Sequence, residues 1–395
     1  MIRLKFLHFL LLFVLVAFPQ SLVAETAPSF ILSEHTAPEF LGNYTEYIED
    51  KDGDLSFEEV KSSRSKSFFS TNNEHYYWEP SPERGITKGF TASVYWLRFS
   101  VENNSQSVIN WNLEFGYPLL DQIEFYYPTN DGHYKKKKEG DHSSFAERDV
   151  EYRNPVIAIS ASPAQLNTYY IRVQTVSSMN IPMKAWPEKS FYSEVDSVKM
   201  YVGLILGVVL VGLVSTFVNS IFLRDTMYLW LGLAFLGQYL YLSGIKGITY
   251  QYLWSDSIWW ATVNIPFFMN LGYVPTMQYC RMFTGLKDKH PRTDKLFIFL
   301  LVLSGVAAVL CLVLSYEIII RYSTAAAVIT GAVCVFAGIL SWWNGNTSSR
   351  LYVFAWSTFF IGSVSFALTA LGVLPRNTLT EWSQEIGFVG FVILM

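Results

Sequence analysis

Two pairs of aromatic and arginine side chains have the spacing that a small ligand could use. Trp96 and Arg98 are two residues apart in one alternating stretch, and Tyr170 and Arg172 are two apart in another. In a β-strand this spacing places both members of a pair on the same face. A flat ring beside a guanidinium suits a sugar ring or an acidic group. We therefore predict these four residues as ligand contacts, with packing between the sheets or between the domain and the membrane as the alternative.

Patterns typical of catalysis or metal binding do not occur elsewhere in the sequence. The histidines of the first half have no metal-ligand spacing, and the chain contains no serine or cysteine nucleophile motif. We expect no catalytic residue, no metal site, no cofactor and no enzyme activity in these residues. The first half is acidic, with a net charge of about −10 between residues 25 and 196, so we also expect no nucleic-acid partner.

One acidic stretch, Asp50–Glu59, is similar to a calcium-binding loop but departs from it at two positions. Counted from Asp50, the sixth position is Leu55 where the sharp turn needs glycine, and the twelfth is Lys61 where the ion needs a bidentate carboxylate. We predict an Asp-Gly turn between two short elements instead.

The ligand candidates lie in a region of short segments in which apolar and polar residues alternate. Turn-forming residues separate these segments, and no helical period intervenes. The pattern predicts half-buried strands in an all-β, antiparallel, jelly-roll-like sandwich. The clearest strands are Val94–Val101, Trp111–Phe115, Gln122–Tyr127 and Tyr169–Val173.

The second half of the chain consists of long apolar segments. The 24 residues of Met200–Leu223 would form a helix of about 36 Å, which exceeds a hydrocarbon core of about 30 Å. A seventh segment starts near Ile386, and only about ten of its residues precede Met395. We predict a polytopic α-helical bundle over residues 197–395, with six complete helices and a truncated seventh. The other complete segments are Met227–Ile245, Trp259–Met282, Leu296–Leu314, Ile318–Trp342 and Tyr352–Leu371.

Residues 1–24 combine basic residues, an apolar run and a terminal alanine, which is typical of a signal peptide. An uncleaved anchor is the alternative. In either case, residues 25–196 would form an exported, periplasmic sensor domain. Residues 197–395 would form a multi-pass domain in the lipid of the bacterial inner membrane. The basic loop residues fit this orientation, because most lie on the predicted cytoplasmic side and few, chiefly Lys246, Arg321 and Arg376, lie on the other.

Several motifs together resemble a known family. The first half resembles the type-2 extracellular domain of bacterial seven-transmembrane receptors with diverse intracellular signalling modules, and the second half resembles their seven-helix module. The matching stretches are Tyr47–Asp50, Tyr95–Phe99, Asn103–Ser105, Tyr169–Val173, Gly203–Gly207, Asn219, Arg224–Asp225 and Gly247–Trp254. The resemblance implies a jelly-roll related to carbohydrate-binding modules and a cytoplasmic output such as a diguanylate cyclase or a histidine kinase, and no such output motif occurs before Met395.

The resemblance predicts a receptor that senses a periplasmic ligand, such as a carbohydrate or a small acid, and signals through its helices. Asn219, Arg224 and Asp225, at the predicted cytoplasmic end of the first helix, are the candidate signal-coupling residues. A homodimer is compatible with such a receptor. The alternatives are a transporter or accessory subunit with a substrate-capture domain, and a membrane anchor that binds a protein partner.

Overall fold

The computed structural model of the protein describes residues 27–33, 36–63, 67–129 and 131–395. The predicted signal peptide, residues 1–24, lies outside the described residues. The described part contains an antiparallel β domain followed by a helical region, which confirms the predicted fold class. The jelly-roll connectivity stays a prediction.

Two main sheets form the β domain. The larger has the order β11–β10–β13–β8–β3–β6, with β1 parallel to the end of β8, and the smaller has the order β12–β9–β15–β2. Two further pairs, β14–β7 and β4–β5, are separate. The strands are β1 Phe30–Leu32, β2 Glu39–Phe40, β3 Thr45–Asp50, β4 Ser67–Phe69, β5 His75–Tyr77, β6 Glu79–Pro80, β7 Ile86–Phe90, β8 Val94–Asn103, β9 Ile109–Phe115, β10 Gln122–Pro128, β11 Tyr134–Glu139, β12 Val156–Ala161, β13 Leu166–Gln174, β14 Ser178–Ile181 and β15 Met183–Pro187.

The core of the β domain lies between the two main sheets, as the alternation predicts. On β8, Tyr95, Leu97 and Phe99 belong to this core. Leu113 of β9 and Ile171 of β13 are fully buried in it. Burial of these side chains stabilises the pairing register, because a shift by one residue would turn every core residue outward.

The acidic stretch after β3 forms a turn, which agrees with the prediction. Asp50 Oδ1 accepts a hydrogen bond from the Gly53 amide at 2.9 Å, and Gly53 has a φ of 75°. Helix α1, Phe57–Ser62, follows and is capped by Ser56 and Glu59. This reciprocal cap satisfies backbone amides at the start of α1, and Phe57 and Val60 pack the helix against the outer face of the larger sheet.

The β domain continues into the helical region without a loop. Strand β15 ends at Pro187 and α2 begins at Glu188. The short segment before Met200, residues 188–199, is therefore helical, which the hydropathy of the sequence does not show. Its physical reason is that Phe191 and Val195 pack on Tyr152 and Trp186 of the β domain, so the helix is stabilised before it reaches the apolar stretch.

Eleven α-helices occur in the described part of the chain. Five of them, α2, α3, α7, α8 and α9, are long and apolar enough to cross a membrane. The predicted third span, α5, has 27 residues and contains Pro266 and Pro275, and it packs against α3, α7 and α8. The helices after α1 are α2 Glu188–Leu223, α3 Thr226–Ile245, α4 Ile248–Tyr252, α5 Ile258–Thr284, α6 Leu286–Lys289, α7 Pro291–Leu310, α8 Tyr316–Trp343, α9 Ser349–Ala370, α10 Thr378–Glu381 and α11 Ser383–Leu394.

Candidate functional site

The four predicted ligand residues meet on the outer face of the larger sheet. Strands β8 and β13 are antiparallel, and their register places Arg172 opposite Trp96 and Tyr170 opposite Arg98. The sequence prediction that each pair shares one face is consistent with this register. The structure therefore brings together residues that are more than 70 positions apart.

Helix α1 and the β4–β5 hairpin cover much of this face. The Trp96 side chain is 1% exposed and lies 5.7 Å from the Tyr126 ring, measured between centroids. Phe57 of α1 contacts Tyr170 at 5.8 Å in an edge-to-face arrangement. Trp96 is thus buried in packing contacts with other residues of the β domain, and its role as a ligand contact stays a prediction.

Arg98 is also held within the domain. Its Nε lies 2.8 Å from Glu46 Oε2, and its Nη1 donates to the Ser63 carbonyl at 2.6 Å. The guanidinium also stacks on the Trp78 ring at 4.0 Å. What remains open is a polar groove of about 780 Å³. Its walls include Lys61, Ser63, Arg98, Tyr134 and Tyr170.

A second region of interest is the junction between the β domain and the helices. Ser178 Oγ donates to the Ala370 carbonyl at 2.5 Å. Arg153 Nη1 donates to the Lys246 carbonyl at 3.2 Å, and Arg376 Nη2 donates to the Gly116 carbonyl at 2.9 Å. These bonds attach the β domain to the ends of α3 and α9 and to the segment after α9.

A buried ion pair joins two helices directly beneath this junction. Lys246 Nζ lies 3.0 Å from Glu385 Oε1, and the two side chains are 9% and 4% exposed. Lys246 also lies 4.0 Å from the Trp382 ring centroid. The pair fixes the end of α3 against the start of α11, because each charge would otherwise be buried without a counter-ion.

The junction encloses a cavity of about 80 Å³, which we name the junction cavity. The β domain and the helical region each contribute polar and apolar side chains to its walls. Its polar lining includes Tyr117, Arg153, Asn180, Lys246, Arg376 and Glu381, and its apolar lining includes Phe90, Ile245, Ile265, Met269, Ile320 and Phe366. Such a mixture is typical of sites for small molecules with one charged end.

Sequence reasoning did not identify the junction cavity. Its charged residues are separated by up to about 230 positions, and no local motif connects them. One signal was nevertheless present. Lys246 and Arg376 are among the few basic residues that the positive-inside pattern leaves on the side of the β domain. Both residues that depart from this pattern form ion pairs at the junction, Lys246 with Glu385 and Arg376 with Glu381.

Two family models match the chain. Residues 42–187 match the model described as 7TMR-DISM extracellular 2, and residues 199–395 match the model described as 7TM diverse intracellular signalling. The chain belongs to this family of seven-transmembrane receptors. No curated protein matches it.

In this seven-transmembrane receptor, the predicted signal-coupling residues lie at the end of the helices remote from the β domain. Asp225 caps α3 by accepting a hydrogen bond from the Met227 amide at 2.8 Å. Arg224 is exposed and adopts a left-handed conformation with a φ of 50°. Asn219 is half-buried, one turn before the end of α2. The Asp225 cap and the left-handed Arg224 form the sharp reversal between α2 and α3.

The receptor's β domain also contains a group of buried ionisable side chains behind the wall of the junction cavity. Carboxylate oxygens of Asp121 and Asp141 lie within 4.8 Å of each other and of a His142 ring nitrogen. Burial raises the pKa of both carboxyls. Beside them, burial raises the pKa of Glu139 to about 7, although Arg148 at 4.0 Å opposes this shift. These carboxyls therefore retain protons at a higher pH than exposed ones do.

The raised pKa of Glu139 predicts that stability depends on pH. The carboxyl has an ordinary pKa of 4.5 and a folded-state pKa of about 7, so the folded state binds the proton more tightly. The contribution of this carboxyl to the free energy of unfolding is complete below about pH 4.5 and is lost as the pH rises through 7. The change amounts to up to about 3 kcal/mol. We expect the melting temperature to fall between pH 5.5 and 8. Glu139→Gln should flatten this dependence, and an unchanged slope in that variant would assign the effect to other groups.

Proposed function

We propose that the protein is a signalling receptor. A sugar or a small acid binds at the extracellular β domain, the helices change their packing, and the far end of the bundle transmits the change to an output module. The observation that carries this proposal is the loop-free connection of β15 to α2 at Pro187 and Glu188. Because a displacement of β15 moves the first helix directly, binding and helix packing are mechanically linked.

The contacts at the junction support the same proposal. The β domain contacts not only α2 but also the ends of α3 and α9. A ligand shifts an equilibrium only when it binds two states with different affinity. A rearrangement at the junction would provide two such states, because it changes contacts to several helices at once.

The distribution of charge supports an orientation with the β domain in the bacterial periplasm and the far end in the cytoplasm. The basic loop residues Arg224, Lys287 and Arg350 lie at the ends of helices remote from the β domain. The positive-inside rule favours such loops in the cytoplasm. In this orientation the receptor is a multi-pass protein of the inner membrane, and Asn219, Arg224 and Asp225 are positioned to couple its helices to an output.

The proposal can be tested with two spin labels at the far end of the bundle. Thr226 and Thr347 are exposed there, and the three native cysteines are buried, so Thr226→Cys and Thr347→Cys should be labelled selectively. The protein in lipid nanodiscs is screened against mono- and oligosaccharides and small carboxylic acids for thermal stabilisation. We expect a stabilising compound to change the distance between the labels. Stabilising compounds that all leave this distance unchanged would contradict the relay.

A further inference from the structure

A groove lies between α8 and α9 at the end of the bundle that contacts the β domain, and we name it the lateral groove. Its volume is about 590 Å³, which is within the range of about 300–1,000 Å³ that is usual for ligand sites. Val328 of α8 and Val364 of α9 are among its helical walls, and Lys88 and Phe90 of β7 also line it. The lateral groove is therefore built from residues of both domains.

The polarity of the lateral groove changes with depth in the bundle. Its charged lining residues are Lys88 and Arg321, and the guanidinium of Arg321 lies 6.0 Å from the Phe90 ring centroid. Both cations are thus at the end nearest the β domain. Val328 follows Arg321 by seven residues in α8 and lies about 10 Å deeper along the helix. The lateral groove is cationic at the junction and apolar further into the bundle.

The lateral groove opens on the outer surface of the bundle. The helices α8 and α9 are both long and apolar enough to cross a membrane. Ala325 is exposed, and Val328 and Leu371 are 37% and 49% exposed. All three line the groove. Apolar surface of a spanning helix faces the hydrocarbon of the bilayer, so a ligand can enter the lateral groove directly from the lipid.

The carboxylates near the two cations lie outside the lateral groove. Glu317 pairs with Arg321 at 2.8 Å, but the two side chains are 46% and 51% exposed, and such pairs are weak. Glu49 and Glu79 interact electrostatically with Lys88. No carboxylate of the described residues lines the groove itself. Its surface nearest the β domain therefore favours a negatively charged group.

We propose that the lateral groove binds a phospholipid with a net negative head group, from the leaflet on the side of the β domain. An acyl chain packs along the apolar walls, and the phosphate accepts hydrogen bonds from Lys88 and Arg321. An ammonium has three N–H donors and a guanidinium has five. These are more than the contacts of Lys88 with Tyr47 and of Arg321 with Glu317 require.

A lipid in the lateral groove attaches β7 to α8, because its phosphate contacts one cation from each domain. Leu371 lines the groove and meets Gly89 of β7, and Phe90 and Thr324 line both the groove and the junction cavity. Occupancy by lipid therefore stabilises the contact between the β domain and the helices. This inference goes beyond the proposed receptor function and does not depend on it, since lipid binding can be measured without any other ligand.

The test uses the whole protein in nanodiscs of phosphatidylcholine, with and without phosphatidylglycerol. Native mass spectrometry of protein released into detergent counts the lipids that stay bound. We expect one retained phosphatidylglycerol per protein, and a melting temperature several degrees higher in the discs that contain this lipid. Equal retention of the two lipids would overturn the proposal, because the head group would then not be recognised.

Soluble glycerol phosphate separates a lipid from a free phosphate as the occupant. It carries the same phosphate chemistry without an acyl chain to pack against the apolar walls. Added to discs of phosphatidylcholine alone, it should leave the melting temperature unchanged. A stabilisation equal to that given by phosphatidylglycerol would overturn the assignment to a lipid.

Four variants assign the retained lipid to the lateral groove. Arg321→Gln and Lys88→Gln should each weaken retention of phosphatidylglycerol by about fivefold. Ala325→Trp fills the groove from an exposed position and should abolish retention without disturbing the core. The control Lys199→Gln also removes an exposed cation from the β-domain side, one that pairs with Asp196 and does not line the groove.

The control distinguishes a defined site from general attraction to an acidic membrane. Retention should be unchanged in Lys199→Gln. If Lys199→Gln and Arg321→Gln weaken retention equally, the lipid responds to surface charge and the proposed site is wrong. Retention that is unchanged in both Arg321→Gln and Lys88→Gln would also contradict the site, because neither cation would then hold the phosphate.

Discussion

Replacing Glu385 by alanine is expected to lower the stability of the folded protein by about 3–5 kcal/mol, because it leaves a buried lysine without its counter-ion. Lys246 is 9% exposed and lies 3.0 Å from the Glu385 carboxylate. The Lys246 ammonium would then have to remain charged in a poorly solvated site or lose its proton. Thermal unfolding of the protein in nanodiscs, followed by tryptophan fluorescence, measures the loss.

A second ion pair in the helical region provides the control. Glu317 and Arg321 form the ion pair that their spacing predicts, at 2.8 Å, but the two side chains are 46% and 51% exposed. Glu317→Ala should therefore cost less than about 1 kcal/mol. The double variant Lys246→Met with Glu385→Leu should regain much of the stability lost in Glu385→Ala. Equal losses of stability in Glu385→Ala and Glu317→Ala would show that burial does not determine how much the Lys246–Glu385 pair contributes.

Substitution of Gly89 by alanine is expected to loosen the β domain from the helices. Gly89 has a φ of 66°, and a Cβ atom there would lie 2.8 Å from the Leu371 carbonyl oxygen. Backbone must therefore move at the contact between β7 and the end of α9. We expect faster hydrogen exchange in β7, in β14 and in the last turn of α9, with an apparent loss of about 1–3 kcal/mol.

Gly132 is a matched control for this variant. It has a φ of 79°, so alanine there meets the same backbone strain, but no atom of the described residues lies within 4 Å of its added Cβ. Gly132→Ala should cost only about 1 kcal/mol and leave exchange at the junction unchanged. If the two variants change exchange at the junction equally, the contact between Gly89 and Leu371 does not attach the β domain.

The sequence was informative where periodicity governs the structure. The alternation around Trp96 and Arg98 correctly predicts a strand whose two faces differ, because side chains on a strand alternate by simple geometry. It could not show that α1 covers one of those faces. The burial of Trp96 depends on its contact with Tyr126 and on the stacking of Phe57 over Tyr126, and the sequence of the strand does not encode either contact.

The candidate site was less predictable because its residues are distant in the chain. Glu385 lacks a local partner in the sequence, and its partner Lys246 is 139 positions away. Asn270 shows the opposite case. Polar amides within apolar helices are expected to bond between helices, and Asn270 does so by donating to Ser323 Oγ at 2.6 Å. The type of partner was predictable there, but its identity was not.

The start of α2 shows a third limit of sequence reasoning. Hydropathy places the helix at Met200, since a membrane requires apolar residues only within its own thickness. The preceding turns are polar and become helical through contacts with the β domain, such as that of Phe191 with Trp186 at 6.2 Å between ring centroids. These contacts extend the membrane helix back to the last strand of the β domain.

The central claim is that the β domain and the helices form one body, and a single distance tests it most directly. Lys138 on β11 and Thr347 at the far end of the bundle are both exposed. Spin labels at Lys138→Cys and Thr347→Cys, measured by pulsed electron paramagnetic resonance in nanodiscs, should give one narrow distance distribution, and Gly89→Ala should broaden it. A broad distribution in the unsubstituted background would mean that the β domain swings on its connection, and it would contradict the claim.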